Sequence, residues 1–423
     1  MKAAIITDAG RTPVPGTFDE PQVVAGTELF ELVGAGLHQI VRSLAAGRHY
    51  GSSGIYPQVP GIDAVVRAAD GSLRYTGRIA PPWGTMAERM AAQDGFPVPD
   101  DADPLAVAAG VNPAGSGWLP LHAHRDARGS LGTVLILGAT GMSGRLAVQS
   151  ARALGAEHII AAGRNQAVLR SLRAPDVDVV ELDVDDPAGA LAEAVAASTP
   201  DLVLDYVWGP IAEATFAALG RQGLHEDDAH ISYVQIGSLA GAHAAVPSTL
   251  LRSRNITISG SGAGSVSAEQ QMRSIPAVID AIASGALQVP YAAFGIDDVE
   301  KAWSYDGPER AVVTPGRERP GAHRRRSRAP NRRSRAPSRR SRAPTRRSRA
   351  PSRRSRAPSR RLSPRDACRR SRPSALDTPP PAPRRGPAGG GRGEGRGRRP
   401  TATRRRRSWV PKRRRPVSRR VRA

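Results

Sequence analysis

Cysteine is nearly absent from this sequence, whose 423 residues include one, Cys368. Residues 1–315 therefore offer no disulfide, no thiolate metal ligand and no cysteine nucleophile. No apolar run approaches the roughly 18 residues that a membrane-spanning helix needs. Met1-Lys2-Ala3 opens a predicted strand rather than a signal peptide, so we expect a cytoplasmic protein without membrane association.

The net charge of +24 averages two unlike segments. Residues 1–315 contain 21 Lys and Arg against 34 Asp and Glu, a net charge of −13. Residues 316–423 contain 41 Lys and Arg against 4 acids, a net charge of +37. The first segment has the composition of a soluble enzyme and is long enough for one or two cores. The two segments are therefore expected to differ in both fold and function.

From Arg325 the basic segment repeats every seven residues, as RRSRAPN, RRSRAPS, RRSRAPT and two further copies of RRSRAPS. Dense like charge without apolar residues predicts a disordered tail over 316–423, and the prolines exclude a coiled coil. Such a tail could bind nucleic acid non-specifically through phosphates, although Trp409 is its one aromatic residue. A frameshift or read-through product is the other explanation, because GC-rich DNA encodes these residues in almost any frame.

The stretch from Thr133 to Ala156, TVLILGATGMSGRLAVQSARALGA, contains the most informative motif. A predicted strand over 133–137 leads through a glycine loop into a predicted helix over 142–155. Glycines at this spacing permit a tight turn, close approach to a pyrophosphate and close helix packing, while the helix N-terminus supplies free N–H groups. The motif predicts a dinucleotide site, with a merely structural turn as the alternative. The predicted contacts are Gly138, Ala139, Thr140, Gly141, Met142, Ser143 and Gly144.

The end of the next predicted strand, over 158–162, indicates which dinucleotide is bound. Gly163, Arg164 and Asn165 stand where an NAD site would carry an acid for the ribose 2′-hydroxyl. No carboxylate is present, and Arg164 could instead pair with a 2′-phosphate. We therefore predict NADP(H), with a solvated loop arginine as the alternative.

The order of predicted elements indicates an α/β protein. Residues 1 to about 120 are predicted to form short β segments, with one helix around 37–46. From Thr133 six predicted strands alternate with helices, which is typical of a doubly wound parallel sheet. Residues 291–315 look β-rich again and could rejoin the N-terminal part.

This layout resembles the medium-chain dehydrogenase/reductase superfamily, and within it the zinc-free quinone-oxidoreductase-like branch. Besides the glycine loop, the motifs that carry the resemblance are AGRN at 162–165, DYVWG at 205–209, YVQIGS at 233–238, ISGSG at 258–262 and RAVVTP at 310–315. Short-chain reductases begin with the glycine pattern, whereas about 130 residues precede it here. The resemblance implies a GroES-like β-rich catalytic domain over 1–120, a Rossmann domain over 121–265 and a return to the catalytic domain over 266–315.

The resemblance implies transfer of hydride from NADPH to a quinone, an enone or another carbonyl substrate. Zinc members of the family use a cysteine and the histidine of a GHE motif, but this chain reads PGID at 60–63. No histidines are spaced as metal ligands, so we expect no metal site. A homodimer formed through an edge strand such as 256–259 is also compatible with the family. The alternative function is a nucleotide-binding sensor or regulator that binds nucleic acid through the tail.

The remaining candidate site residues come from the resemblance and from strand ends. The resemblance places the segment from Asn112 through Ser116 to Trp118 beside the nicotinamide, with Ser116-Gly117 where the family commonly has Thr-Ala. Carboxyl ends of parallel strands bind ligands in open α/β sheets, which adds Tyr206, Gly237 and Ser238. The candidates for facing the substrate are His38, Arg42, His49 and Tyr50. Each could instead be a packed or solvated residue, and the catalytic proton donor is unknown.

Overall fold

An antiparallel sheet and a parallel sheet organise residues 1–316, which are the residues that the computed structural model describes. The predicted tail over 316–423 lies, apart from Gly316, outside the described residues. The N-terminal elements are β1 (Lys2–Ile5), β2 (Val14–Thr17), β3 (Glu28–Gly36), α1 (Gln39–Ala45), β4 (Asp63–Arg67), β5 (Leu73–Gly77), β6 (Arg89–Ala92) and β7 (Phe96–Pro97). Strand β3 pairs with both β4 and β6, and β4 continues to β5 and β7.

Helix α2 (Pro104–Arg128) is 25 residues long and corrects the prediction of short β segments up to residue 120. Its prolines and glycines, which resemble helix breakers in the sequence, are accommodated because neighbours bury the helix on most sides. A Cβ on Gly110, for example, would lie 2.6 Å from a methyl group of Val289. The Asp103 carboxylate caps the first turn, and Gly129, with φ of 85°, ends the helix.

The second sheet confirms the predicted doubly wound architecture. Its strands are β8 (Thr133–Leu137), β9 (His158–Gly163), β10 (Val177–Glu181), β11 (Leu202–Asp205), β12 (Ile231–Gln235) and β13 (Ile256–Gly260). They are all parallel, in the order β10-β9-β8-β11-β12-β13. The order reverses between β8 and β11, which is where open sheets of this type bind ligands.

Helices cover both faces of the parallel sheet. They are α3 (Met142–Ala153), α4 (Gln166–Leu172), α5 (Pro187–Ala197), α6 (Gly209–Leu219) and α7 (Ser248–Ser253). The sequence predicts helices over 142–155, 187–197 and 210–219, which correspond to α3, α5 and α6, whereas the short helices α4 and α7 are not predicted. Fully buried side chains such as Phe216 and Tyr233 fill the space between helices and strands, and each contributes roughly 1.5–3 kcal/mol of hydrophobic stabilisation.

The chain then returns to the first sheet. Its last elements are α8 (Ala268–Ala283), β14 (Tyr291–Gly295), a 3₁₀ turn (Ile296–Asp298), α9 (Val299–Ser304) and β15 (Arg310–Thr314). Strand β15 pairs antiparallel with β3, where Val312 lies opposite Gly36. The domain boundaries at 120 and 265 remain predictions, and helix α2 spans the first of them. None of the helices within residues 1–316 combines the length and apolar character needed to cross a bilayer.

Candidate cofactor and substrate site

The glycine loop between β8 and α3 is shaped by close backbone contacts. Gly138 has φ of +87°, a conformation that side chains disfavour. A Cβ on Gly144 would lie 2.2 Å from the Gly138 carbonyl oxygen, so this glycine allows α3 to begin directly against the strand. Gly163, at the end of β9, similarly leaves room for the Thr140 side chain. Ala139 is buried beneath the loop, whereas Gly141 is exposed.

The N-terminus of α3 is open to a ligand. Gly141 is its N-cap residue, and no side chain caps the helix. The first N–H groups of the helix, from Met142 and Ser143 onward, therefore point toward the carboxyl edge of the sheet without an intrahelical partner. Free N–H groups and the positive end of the helix dipole suit an anion, so this loop fits a pyrophosphate.

Two predicted cofactor residues in the turn after β9, Arg164 and Asn165, have different roles. Arg164 is exposed, and within residues 1–316 its guanidinium has no ion-pair partner. Asn165 caps α4, because its side-chain oxygen accepts a hydrogen bond from the Val168 N–H at 3.1 Å. The nearest strand neighbour with a carboxylate, Glu181, is bonded to Gln166. Arg164 is thus the side chain on this turn that is free to bind an anion.

Helix α2 presents one partly exposed stripe in an otherwise buried middle section. Asn112, Gly115, Ser116 and Leu119 are half-buried, while the residues between them are buried. Spacings of three and four residues place all four on one helical face. A Cβ on Gly115 would meet no atom within 4 Å, so open space lies in front of this face.

Ser116 links this face to the carboxyl edge of the parallel sheet. Its hydroxyl lies 2.7 Å from the Pro113 carbonyl oxygen and 3.3 Å from the Tyr206 hydroxyl. Ser116 is the donor in both contacts, so its single proton has two alternative acceptors, the Pro113 carbonyl oxygen and the Tyr206 hydroxyl. Burial raises the pKa of Tyr206, so its hydroxyl stays protonated. Tyr206 also borders the glycine loop, since a Cβ on Gly138 would lie 3.3 Å from the Tyr206 Cβ.

Asp205 stabilises the turn that contains Tyr206. The sequence analysis included Asp205 in the DYVWG motif but did not predict it as a site residue. Its buried carboxylate accepts hydrogen bonds from the Val207 and Trp208 N–H groups, both at 2.8 Å. The Tyr233 hydroxyl donates to its other oxygen at 2.6 Å. Trp208 has φ of 56°, so these bonds maintain a turn that the residue would otherwise disfavour. Burial raises the pKa of Asp205, while these hydrogen bonds lower it.

The loop after β12 packs against the same turn. A Cβ on Gly237 would lie 2.5 Å from the Tyr206 carbonyl oxygen, which explains the glycine at this strand end. Ser238, the next residue, is exposed. The structure therefore brings four predicted residues together: Ser116, Gly138, Tyr206 and Gly237.

His49 and Tyr50 lie elsewhere, in the loop between α1 and β4. Their ring centroids are 4.1 Å apart, and the His49 Nδ1 atom accepts from the Gly51 N–H at 3.0 Å. Burial lowers the pKa of His49, which favours its neutral form. Tyr50 is 76% exposed, and a Cβ on Gly262 would lie 3.2 Å from its hydroxyl. The pair thus approaches the segment after β13, and within residues 1–316 it forms no hydrogen bond with Ser116.

A buried polar network lies under α2, and the sequence analysis did not identify it. The Asp63 carboxylate is 6% exposed and lies 3.0 Å from His38 Nε2 and 2.9 Å from Asn112 Nδ2. The Tyr75 hydroxyl also contacts Asp63; burial and this carboxylate together raise the pKa of Tyr75. His38 is only 2% exposed, so it supports Asp63 instead of facing open space as predicted.

Three arginines converge where α1, α3 and β15 meet. Arg42 bonds to the Trp303 carbonyl and lies over that ring, Arg145 donates to the Pro308 carbonyl, and Arg310 donates to the Leu37 carbonyl. Burial, and then the charges of Arg42 and Arg145, lower the pKa of Arg310 to about 10. No carboxylate forms an ion pair with any of the three in the described part of the chain. Asp63 attracts Arg310 and Glu309 attracts Arg145 from a greater distance, so the cluster is a region of net positive charge.

Possible metal ligands and a separate cavity are the remaining features to compare with the site. No group of three or more His, Cys, Asp or Glu side chains within residues 1–316 is arranged to hold a metal ion. A cavity of about 400 Å³ surrounds Asp227, Arg221 and Arg254 at the amino ends of β11 and β12. It lies at the opposite edge of the sheet from the glycine loop, so it is separate from the candidate site.

Comparisons with known proteins agree with this geometry. Residues 134–215 match the model of the NAD dependent epimerase/dehydratase family. The chain is 32% identical over 229 residues to a probable NADPH-dependent quinone reductase, tdiC, of Emericella nidulans. That alignment covers 50% of this chain and 62% of the fungal protein, so the chain spans less than two thirds of this curated relative.

Solved structures share the fold over most of the described residues. The quinone oxidoreductase of Thermus thermophilus matches with a TM-score of 0.58 and 22% identity, over 74% of this chain and 100% of the other. A putative NADPH:quinone reductase of Mesorhizobium loti matches with a TM-score of 0.61 and 18% identity, over 74% and 98%. The chain therefore shares the two-sheet fold of these quinone oxidoreductase structures, which confirms the predicted fold class and agrees with the predicted resemblance. The residues that match the epimerase model begin in β8 and include the glycine loop.

Proposed function

We propose that this protein is an NADPH-dependent oxidoreductase that reduces a quinone, an enone or another carbonyl compound without zinc. The observation that carries the proposal is the turn after β9. Exposed Arg164 has no ion-pair partner within residues 1–316, and the turn lacks the carboxylate that an NAD site would have there. A 2′-phosphate matches such a guanidinium in charge and geometry. The fungal relative, whose name specifies NADPH and a quinone, supports the same choice.

Two positive features suit the diphosphate of the cofactor. The uncapped N-terminus of α3 offers backbone N–H groups, and Arg42, Arg145 and Arg310 form the nearby cationic cluster. Buried Nε atoms of Arg145 and Arg310 lack hydrogen-bond partners. An anionic group would compensate both the charge and these unmade hydrogen bonds.

Bound NADPH would supply the hydride, and the protein's own groups would orient the substrate. Ser116 can turn its proton from the Pro113 carbonyl toward a substrate oxygen on the open face of α2. The Tyr206 hydroxyl, 3.3 Å from Ser116 Oγ, is a second acceptor for the same proton, so the Ser116 hydroxyl is not tied to one partner. A donor aimed at an oxygen that gains negative charge lowers the barrier to hydride transfer.

The PGID segment, which stands where zinc members have their GHE motif, contributes to a buried hydrogen-bond network in this chain. Asp63 of the PGID segment is occupied by His38, Tyr75 and Asn112. Zinc independence follows from this chemistry as part of the proposal. A homodimer is likewise a proposal, because β13 is an edge strand whose outer side is unpaired within the described chain.

The test measures the oxidation of NADPH, and of NADH at the same concentration, with a panel of quinones and enones. We expect turnover with NADPH and at least tenfold lower kcat/KM with NADH. Tight NADPH binding without turnover of any acceptor would contradict the enzyme and favour the nucleotide-binding sensor. Equal use of both cofactors would contradict the role of Arg164.

A further inference from the structure

We infer that Asn112 selects substrates that carry a neutral hydrogen-bond donor, an N–H or O–H group, next to the carbonyl that is reduced. The inference rests on the proposed reductase function and names a substrate class for the same site. It depends on how the Asp63 carboxylate orients the Asn112 amide.

The orientation follows from the hydrogen-bond inventory of a carboxylate, which accepts and does not donate. His38 Nε2 and Asn112 Nδ2 both lie within 3.0 Å of Asp63 oxygens, and the Tyr75 hydroxyl contacts the same group. The nitrogen end of the Asn112 amide must therefore face Asp63. A reversed amide would place its oxygen against an Asp63 oxygen, and both atoms are acceptors. The hydrogen-bond pattern therefore decides which end of the amide is nitrogen and which is oxygen.

The oxygen end of the amide is then directed away from the buried network. Asn112 is half-buried, and its Oδ1 atom has no partner within residues 1–316. Gly115 and Ser116 lie on the same face of α2, where a Cβ on Gly115 would meet open space. Asn112 thus places a fixed acceptor on this face, one helical turn from Ser116.

Acceptor and donor together define a substrate pattern. Residues four apart on a helix have Cβ atoms about 5–6 Å apart, so the Ser116 hydroxyl and the Asn112 oxygen can contact neighbouring substituents of one small ring. Ser116 would donate to the carbonyl, and Asn112 would accept from the adjacent N–H or O–H group. A substrate without that group leaves the Asn112 oxygen unpaired, which lowers its affinity.

The experiment compares two quinones of nearly the same shape. 2-Methylamino-1,4-naphthoquinone has one N–H donor, and 2-dimethylamino-1,4-naphthoquinone has none. Dissociation constants of both are measured by equilibrium titration of the full chain, and kcat/KM is measured with NADPH. We expect the wild type to favour the first quinone roughly 3- to 10-fold, the range of one neutral hydrogen bond.

Three variants test the Asn112 side-chain oxygen separately from the Asp63 carboxylate that orients it. Asn112→Leu should remove the preference, and Asn112→Ala repeats the test if leucine disturbs packing. Asp63→Asn keeps Asn112 but replaces the carboxylate with an amide, which can donate as well as accept. The Asn112 amide could then adopt either orientation, so this variant should also reduce the preference. Asn255→Leu, the same replacement at an exposed position immediately before β13, is the matched control and should retain the preference.

Equal binding of the two quinones by the wild type would overturn the inference, as would a preference that survives both Asn112 variants. The carboxamide of the nicotinamide also has N–H groups that Asn112 could accept from. The NADPH dissociation constant distinguishes this contact from one to the substrate. If Asn112→Leu weakened NADPH binding and left the quinone preference intact, the acceptor would serve the cofactor and the inference would be wrong. Failure of the proposed function is a separate result, namely no NADPH oxidation with any acceptor.

Discussion

Gly117 makes room for Tyr206: a Cβ on Gly117 would lie 2.8 Å from the Tyr206 hydroxyl. The same Cβ would lie 2.9 Å from the Ala147 Cβ on α3. The two contacts together leave no room for a side chain at position 117, which explains the glycine. Helix α2 and the turn after β11 are thereby fitted to each other.

Gly117→Ala should therefore destabilise the protein and displace Tyr206. Overpacking at a buried position costs about 1–3 kcal/mol, and we expect a lower Tm together with reduced turnover. The measurement is thermal unfolding of both proteins at one pH. Gly115→Ala on the same helix is the control; with no atom within 4 Å of the new Cβ, it should be neutral or stabilise by up to about 1 kcal/mol.

Tyr206→Phe should partly rescue Gly117→Ala, because it removes the closest atom. Rescue will be incomplete, since Ala147 remains at 2.9 Å. A double-mutant cycle measures the coupling. Strictly additive effects would show that Gly117 and Tyr206 do not constrain each other.

Arg164→Ala should weaken NADPH binding far more than NADH binding. Loss of one charge-assisted phosphate contact costs roughly 1.5–3 kcal/mol, or about ten- to a hundredfold in affinity. Fluorescence titration with both cofactors checks this. Arg170→Ala, at an exposed arginine on α4, should leave both affinities nearly unchanged; an equal loss for NADPH and NADH in Arg164→Ala would exclude a 2′-phosphate contact.

Activity should survive prolonged treatment with a chelator. Asp63 is engaged with His38, Tyr75 and Asn112, so it is not available as a ligand. Elemental analysis of the purified protein should find well under one zinc per chain. Stoichiometric zinc whose removal abolishes turnover would contradict the proposal.

The stability of the folded state should fall as the pH drops below about 6.5, in part through His124. Burial lowers the pKa of His124, whose Nδ1 atom lies 3.1 Å from the Ser232 hydroxyl. Below the ordinary histidine pKa of about 6.5, the unfolded chain takes up a proton that the folded protein resists. Stability therefore rises with pH through this range, by at most about 1.4 kcal/mol per pH unit for one proton.

Chemical unfolding at several pH values tests this dependence. His49 acts in the same direction, because burial also lowers its pKa, so the comparison between variants isolates His124. His124→Gln should flatten the dependence below pH 6.5. His122→Gln, on the exposed side of the same helix, should not; identical slopes for wild type and His124→Gln would show that His124 does not contribute.

The sequence by itself determined the fold of the half that contains the glycine loop. The glycine loop and the alternation of strands with helices depend on neighbouring residues, so their spacing predicts β8, α3 and the parallel sheet correctly. The same local patterns selected Gly138, Arg164 and Tyr206. They failed for α2, because Pro113, Pro120 and three glycines suggest breaks that only packing against α3, α8 and the first sheet overcomes.

Only the tertiary structure decided which distant residues meet. Asn112 and Asp63 are 49 residues apart, and Ser116 and Tyr206 are 90 apart, yet both pairs form hydrogen bonds. No local pattern fixes such pairs, since they depend on strand order and on where α2 crosses the carboxyl edge of the parallel sheet. The orientation of the Asn112 amide follows from that crossing, because the buried Asp63 carboxylate can only accept hydrogen bonds.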